Sequence, residues 1–307
     1  MTMATPKQAY LYALTAVLLW STVASAFKLA LRYLDNVELV VYSDGFSVLI
    51  LALILLYSRR FGQVFRCTPK EYLRSFSLGV LNPFLYYLIL FRAYELLPAQ
   101  EAQPLNYTWA ITLSLLSVPL LGRRIDAPDF AGLLVSYCGV LVISTRGDLM
   151  GFHMPEPAGV AWALGSTVIW ALYWIISTKD SRSPVLCLFM SFAFSLPPAV
   201  LYYLFFHPVR MPEFGGILGA AYIGAFEMSI TYVMWLLALR ISNNTARIAG
   251  LIFVSPFLSL VFIHLFVGEP IRGSTLAGLI LVVAGLLVQK YGPGLGRSKR
   301  SGQVSNS

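Results

Sequence analysis

The sequence predicts an all-α integral membrane protein of ten transmembrane helices, arranged as two inverted five-helix repeats. Three observations carry that expectation. Of 307 residues, 58% are hydrophobic and only 12% charged, against about 25% charged in soluble domains. Long apolar runs recur from end to end. The second half of the chain also repeats the first.

Each crossing of the hydrocarbon core takes about 20 apolar residues. Such runs fall at roughly 9–31, 37–58, 74–96, 101–121, 128–145, 157–178, 184–206, 214–239, 245–267 and 273–290. The runs 128–145 and 273–290 are short and leave room for little tilt. Connections are mostly brief, and the longest, about 59–73, is too small for a domain. The chain therefore divides into a first repeat, 1–150, a second repeat, 151–292, and a tail rich in Gly, Ser, Lys and Arg, 293–307, expected to be disordered and cytoplasmic.

The repeat is visible residue by residue. An offset of 146 places Leu105, Gly122, Ile125, Ala131, Gly132, Leu133 and Gly139 on Leu251, Gly268, Ile271, Ala277, Gly278, Leu279 and Gly285. An offset of 145 places Gly79, Tyr87 and Ala93 on Gly224, Tyr232 and Ala238, and one of about 150 places Trp20 on Trp170. Duplicated spanning helices are the usual build of a secondary transporter, with the substrate site near mid-membrane between the repeats.

The net charge of +8 is a topology signal rather than a nucleic-acid footprint. With a cytoplasmic N-terminus, sixteen Lys and Arg fall inside and five outside: Lys28, Arg32, Arg146, Arg210 and Arg272. That is the positive-inside bias, and it puts both termini in the cytoplasm. Five helices per repeat then require the halves to be inverted. Cys67, Cys138 and Cys187 share no close spacing and point to neither a disulfide framework nor a metal site. Lys7, the apolar run and Ala24-Ser25-Ala26 resemble a cleavable signal peptide. However, this segment has an internal counterpart around Trp170, so it is expected to be retained as the first span.

Leu19-Trp20-Ser21-Thr22, then Ala93-Tyr94-Glu95-Leu96-Leu97-Pro98-Ala99 leading into a span that ends Leu120-Leu121-Gly122, resembles the EamA-like family of the drug/metabolite transporter superfamily. The second copy is similar, from Ala238-Leu239-Arg240-Ile241-Ser242 to Val267-Gly268-Glu269-Pro270. The family's glutamate after the glycine is kept as Glu269 and replaced by Arg123 in the first copy. Trp20-Ser21-Thr22 and Asn106-Tyr107-Thr108-Trp109 resemble the branch of bacterial aromatic amino-acid exporters, with Ala110 where a proline is usual. The resemblance implies a ten-helix exporter or facilitator of amino acids or other small metabolites, in the bacterial inner membrane. It implies that spans 1, 3, 4, 6, 8 and 9 line a central cavity. Trp20, Tyr86, Asn106, Trp109, Trp170, Tyr173, Trp174 and Tyr232 then become candidates for its wall. No cofactor and no nucleic-acid partner is expected; the partners are a small-molecule substrate and the bilayer, with the oligomeric state open.

Polar groups within spans mark further candidates, because lipid cannot satisfy them. Glu227 lies midway along the eighth span, with Asn82 as its repeat partner. A charged carboxylate is costly there, which suits a site binding substrate and proton in competition; the alternative is hydrogen-bonded packing. Asp44, beside Gly45, is divided between substrate pathway and structural pairing, the glycine allowing close helix contact. Arg92, Glu95 and Glu101 cluster near the outer ends of spans three and four as a rim or gate, with Arg92 and Glu95 spaced for an intrahelical pair. His264 is either packing or a proton relay. Mid-helix prolines free a carbonyl, so Pro104, Pro119, Pro197-Pro198 and above all Ser255-Pro256 mark breaks or hinges. Aromatic walls suit a flat or apolar body, or an ammonium through cation–π contact; ordinary close packing is the competing account.

A secondary transporter of amino acids with aromatic or large neutral side chains, working by alternating access, is the leading expectation. A proton-coupled exporter of drugs or other neutral metabolites is the alternative, and a membrane enzyme or non-transporting scaffold a remote one. No phosphate loop, zinc-ligand pair or Ser/His/Asp set is present, and no Lys or Arg cluster sits at mid-membrane to bind phosphorylated substrates.

Overall fold

In the computed structural model, residues 6–122, 127–150, 154–177, 180–242 and 245–301 are described. Arg123, Arg124 and Lys179 of the expected inside set, and Ile125 of the repeat alignment, lie outside the described residues. Every regular element among those described is helical.

In chain order the α-helices are α1 (Pro6–Ala30), α2 (Asn36–Tyr57), α3 (Pro69–Gly79), α4 (Tyr86–Leu96), α5 (Ala99–Asn106), α6 (Trp109–Leu121) and α7 (Ala127–Ser144). They continue with α8 (Pro157–Ser177), α9 (Pro184–Phe206), α10 (Phe214–Phe226), α11 (Ile230–Ile241), α12 (Thr245–Gly250), α13 (Ser255–Phe262) and α14 (Gly273–Ser301). Among the described residues eight stretches are long and apolar enough to cross a membrane, and Leu251–Val267 is a shorter apolar one. The expected runs 101–121 and 245–267 are not among the eight, and each is interrupted. The backbone of α14 continues as helix to Ser301, past the start of the tail at 293, and residues 302–307 lie outside the described residues.

The interruptions obey the repeat. α6 starts at Trp109 and α13 at Ser255, positions related by the offset of 146. In the second copy a 3-10 turn, Leu251–Val254, precedes Ser255, and Pro256 sits in the first turn of α13, where its missing N–H costs nothing. In the first copy the turn forms without proline at the corresponding place. There Thr108 donates its hydroxyl to the Leu105 carbonyl (2.7 Å).

A second pair of breaks falls at Asn82 and at Glu227–Ser229, which are repeat partners. Between α3 and α4 a wide turn, Val80–Leu85, holds Asn82 in an extended conformation (φ −145°, ψ 120°). Between α10 and α11 the chain leaves the helix at Glu227. Ser229 Oγ donates to the Gly224 carbonyl (2.7 Å) and Thr231 Oγ1 to that of Phe226 (2.5 Å). Hydroxyls thus replace the lost backbone donors, as an interrupted helix in lipid requires. Three other prolines behave differently from expectation. α6 runs through Pro119 and α9 through Pro197-Pro198 without a break.

α7 and α14 lie against one another through glycines. A Cβ on Gly132 would sit 2.5 Å from the Gly285 carbonyl oxygen, and one on Gly139 would sit 2.5 Å from that of Gly278. Gly132 and Gly278 are repeat partners, as are Gly139 and Gly285. The contact is therefore pseudo-twofold, and the two helices run antiparallel. Small residues allow this backbone approach, the common device for joining helices in a bilayer. Gly45 plays no such part, having no atom within 4 Å of a Cβ; the close approach to α2 is made by Gly224, which would meet the Ser43 carbonyl at 2.6 Å.

The rest of the bundle exchanges helices between halves. α1 packs on α10, α11 and α13 of the second repeat, while its counterpart α8 packs on α4, α5 and α6 of the first. All four interrupted segments consequently converge on α1 and α8.

Candidate functional site

Where the breaks converge, the aromatic residues form one connected cluster. Trp170 on α8 is its hub, with ring centroids 4.5 Å from Tyr86, 5.5 Å from Tyr173, 6.1 Å from Trp174, 6.3 Å from Trp109 and 6.4 Å from Tyr232. Tyr232 bridges to Trp20 (5.4 Å, edge-on), and Trp109 stacks on Trp174 with planes 16° apart. Trp20 and Trp170, partners in the repeat, thus flank Tyr232 from the two halves. Tyr86, Trp170 and Tyr173 are buried, whereas Trp20, Trp109, Trp174 and Tyr232 keep part of their surface accessible.

The polar candidates fall at the helix breaks bordering this cluster. Asn106, last residue of α5, accepts from the Tyr86 hydroxyl (3.2 Å) and donates to Ser166 Oγ on α8 (3.0 Å). One turn on, Thr112 and Thr167 share a hydrogen bond of 2.8 Å. Glu227 accepts at Oε1 from the Tyr87 hydroxyl (3.0 Å), and Tyr87 touches Tyr86 ring to ring (4.8 Å). Among the described residues the Tyr87 hydroxyl is the one hydrogen-bond partner of Glu227, and the residue is partly accessible although it lies deep in the bundle. No cation is paired with it among the described residues.

Asp44 lies elsewhere. It is fully buried between α2 and α9, where Ser195 Oγ donates to Oδ2 (2.7 Å) and Oδ1 is unpartnered. Ser255 joins α13 to α1, accepting from Ser21 Oγ at 3.2 Å, and Pro104 is buried inside α5.

A cavity of about 280 Å³ opens between α6 and α8, lined by Ala110, Leu113, Ser114, Ser117, Leu121, Trp174 and Ile175. It reaches the aromatic cluster at Trp174 and runs toward the Leu121 end of the bundle. The other end is closed by contacts between the repeats and within the first. Glu269 accepts from the backbone N–H groups of Ala99 (2.8 Å) and Gln100 (3.1 Å), while Gln100 Nε2 donates to the Pro270 carbonyl (2.7 Å). Glu101 pairs with Arg146 (2.8 Å) and with Arg272. Lys28 Nζ donates to the Leu97 carbonyl (2.7 Å). Arg92 and Glu95 form the intrahelical pair their spacing predicts (2.6 Å), but Glu101 does not join them.

Sequence reasoning missed part of this arrangement. Trp235 extends the cluster to the far side of Trp20 (5.6 Å), and its signal was its place three residues after Tyr232 on the same helical face. Tyr87 was legible only as the repeat partner of Tyr232. Lys28, Gln100, Arg146, Glu269 and Arg272 come together across long sequence separations that no local pattern announces.

Comparison with known proteins agrees with this architecture. The chain is 25% identical over 212 residues to an aromatic amino acid exporter, YddG, of Ancylobacter novellus, covering 68% of this chain and 73% of that one. It is also 25% identical over 286 residues to an uncharacterized transporter of Archaeoglobus fulgidus, covering 91% and 96%. One crystal structure shares the fold with a TM-score of 0.64 at 23% identity, over 92% of this chain and 96% of that one. The EamA-like transporter family model matches residues 7–145 and 157–289, one match per repeat. The chain belongs to the EamA-like transporter family.

Proposed function

We propose that this protein carries amino acids with aromatic or large neutral side chains across the bacterial inner membrane, as an exporter or facilitator working by alternating access. In this reading the interrupted segments 99–121 and 245–267 also cross, giving ten spans in two inverted repeats with both termini cytoplasmic. The observation that carries it is the aromatic cluster around Trp170, built from both halves at the level where four helices are broken. Aromatic faces at a repeat junction suit a flat, apolar solute body. The likeness to a relative named as an aromatic amino acid exporter supports the same substrate class.

Counterflow tests the proposal. Proteoliposomes loaded with unlabelled amino acids should take up labelled phenylalanine or tryptophan saturably. No counterflow from any amino acid, in folded protein, would remove the amino-acid reading.

Glu227 favours a second reading, proton-coupled export of a drug or other neutral metabolite. Glu227→Gln separates the two: a proton antiporter loses its dependence on a pH gradient, while a facilitator does not.

A further inference from the structure

Glu227 lies beside a cluster of aromatic rings, and among the described residues no cation is paired with it. Glu227 keeps part of its surface accessible, and its one hydrogen bond among the described residues comes from a neutral donor, Tyr87. The hydroxyls of Tyr86, Tyr87, Tyr107 and Tyr232 all lie within electrostatic reach of the carboxylate. No basic side chain among the described residues acts on it. Lys28 is spent on the Tyr94 and Leu97 carbonyls at the closed end, and Arg92, Arg146 and Arg272 are paired with Glu95 or Glu101 there. Two neutral donors are committed as well: the Tyr86 hydroxyl to Asn106, and the Asn106 amide to Ser166. The indole N–H of Trp174 is buried and unpartnered, and it is neutral.

An uncompensated carboxylate inside a membrane protein is expensive unless something cationic reaches it. Aromatic faces attract an ammonium through their quadrupole, the more so when water is excluded. A second carboxylate arriving with the solute would be repelled by Glu227 and would find only neutral donors.

We infer that the site recognises its solute by a protonated amine, held between Glu227 and the Tyr232–Trp170 rings, with the aromatic body among Trp109, Trp170 and Trp174. The solute's own carboxylate is dispensable, so the substrate class is aromatic amines at large, of which aromatic amino acids are one subset. This inference rests on the transporter reading above.

The test compares three probes that differ by one group each: phenylalanine, phenethylamine (no carboxylate) and N-acetylphenylalanine (no ammonium). Binding to the full-length protein in detergent is read by tryptophan fluorescence, and transport by counterflow in proteoliposomes. Phenethylamine should bind at least as tightly as phenylalanine and exchange with it. N-acetylphenylalanine should bind at least tenfold more weakly, and E227Q should abolish that difference. E227Q keeps the partner of Tyr87, and its folding is checked by circular dichroism; a misfolded E227Q is replaced by E227A, which also removes the charge, in the same comparison. Exchange of phenylalanine and N-acetylphenylalanine without phenethylamine would overturn the inference and leave the transporter standing. A preference for amines that survives in E227Q would overturn the role of Glu227. Counterflow of none of the three would overturn the inference and the amino-acid reading together.

Discussion

The carboxylate of Glu269 caps the helix that begins at Ala99, accepting its backbone N–H at 2.8 Å and that of Gln100 at 3.1 Å. Glu269 belongs to the second repeat and Ala99 to the first, so the bond closes one end of the bundle between the two halves. The residue equivalent to Glu269 in the first repeat is Arg123, a cation that cannot accept. The clasp is therefore available at one end only.

Loss of the clasp should loosen that end. Hydrogen bonds to a charged group contribute about 1.5–3 kcal/mol each, and a conservative E269Q should cost about 1–2 kcal/mol of the closed state, a five- to thirtyfold change in its population. A cysteine placed at Ala102, buried beneath the clasp, reports it. In E269Q it should react with a water-soluble maleimide several-fold faster than in the parent.

The glycine contact between α7 and α14 sets the second expectation. A Cβ on Gly285 would meet Ser136 Oγ at 2.0 Å and the Gly132 carbonyl at 2.3 Å. Backbone must shift, so Gly285→Ala should destabilise by about 1–3 kcal/mol. Gly165, with open space around its Cβ position, is the control, and Gly165→Ala should gain up to about 1 kcal/mol from helix propensity. Thermal aggregation in detergent separates the two.

Asp44 should behave as a packing residue. Its Ser195 bond survives in Asp44→Asn, which relieves the cost of burying a carboxylate without a cation. Thermal stability should hold or rise, with counterflow rates within about twofold of the parent. A stable D44N that no longer transports would return Asp44 to the substrate pathway.

The connection between α8 and α9 carries an acid-sensitive anchor. Arg182 donates to Asp180 (2.6 Å) and to Ser75 of α3 (2.7 Å), tying the connection to the first repeat. The hydrogen bonds from Arg182 hold the Asp180 carboxyl down at about 2, below the ordinary value of about 3.9. A lowered value means stability present above the unfolded value and lost as pH falls through the folded one. The connection should thus resist proteolysis at neutral pH and become cleavable between about pH 4 and pH 2. In Arg182→Ala it should be cleavable already at neutral pH, as read with an acid-active and a neutral protease.

What the sequence made legible follows the physics of its signals. The offset of 146 announced the Gly132–Gly285 and Gly139–Gly278 contacts, because glycines spaced seven apart share a helix face in both copies. The paired Trp20 and Trp170 likewise pointed to the cluster. Asn82 and Glu227 stood out as polar residues in mid-span, but not as helix breaks. No proline or glycine interrupts Glu227–Ser229, and the hydroxyls of Ser229 and Thr231 do the work. Proline overstated the matter elsewhere, since α9 passes through Pro197-Pro198 unbroken. The closing contacts of Glu101 and Glu269 were hidden because their partners lie in the other half or at the far end of their own.

The most direct measurement is counterflow of labelled phenylalanine by Trp170→Ala beside Trp162→Ala. Trp170 is the hub of the cluster, whereas Trp162, on the same helix, is 43% exposed and outside it. The account predicts a loss of at least tenfold in Trp170→Ala and a rate within about twofold of the parent in Trp162→Ala. A folded Trp170→Ala protein that exchanges phenylalanine at the parent rate would contradict the placement of the solute among these rings.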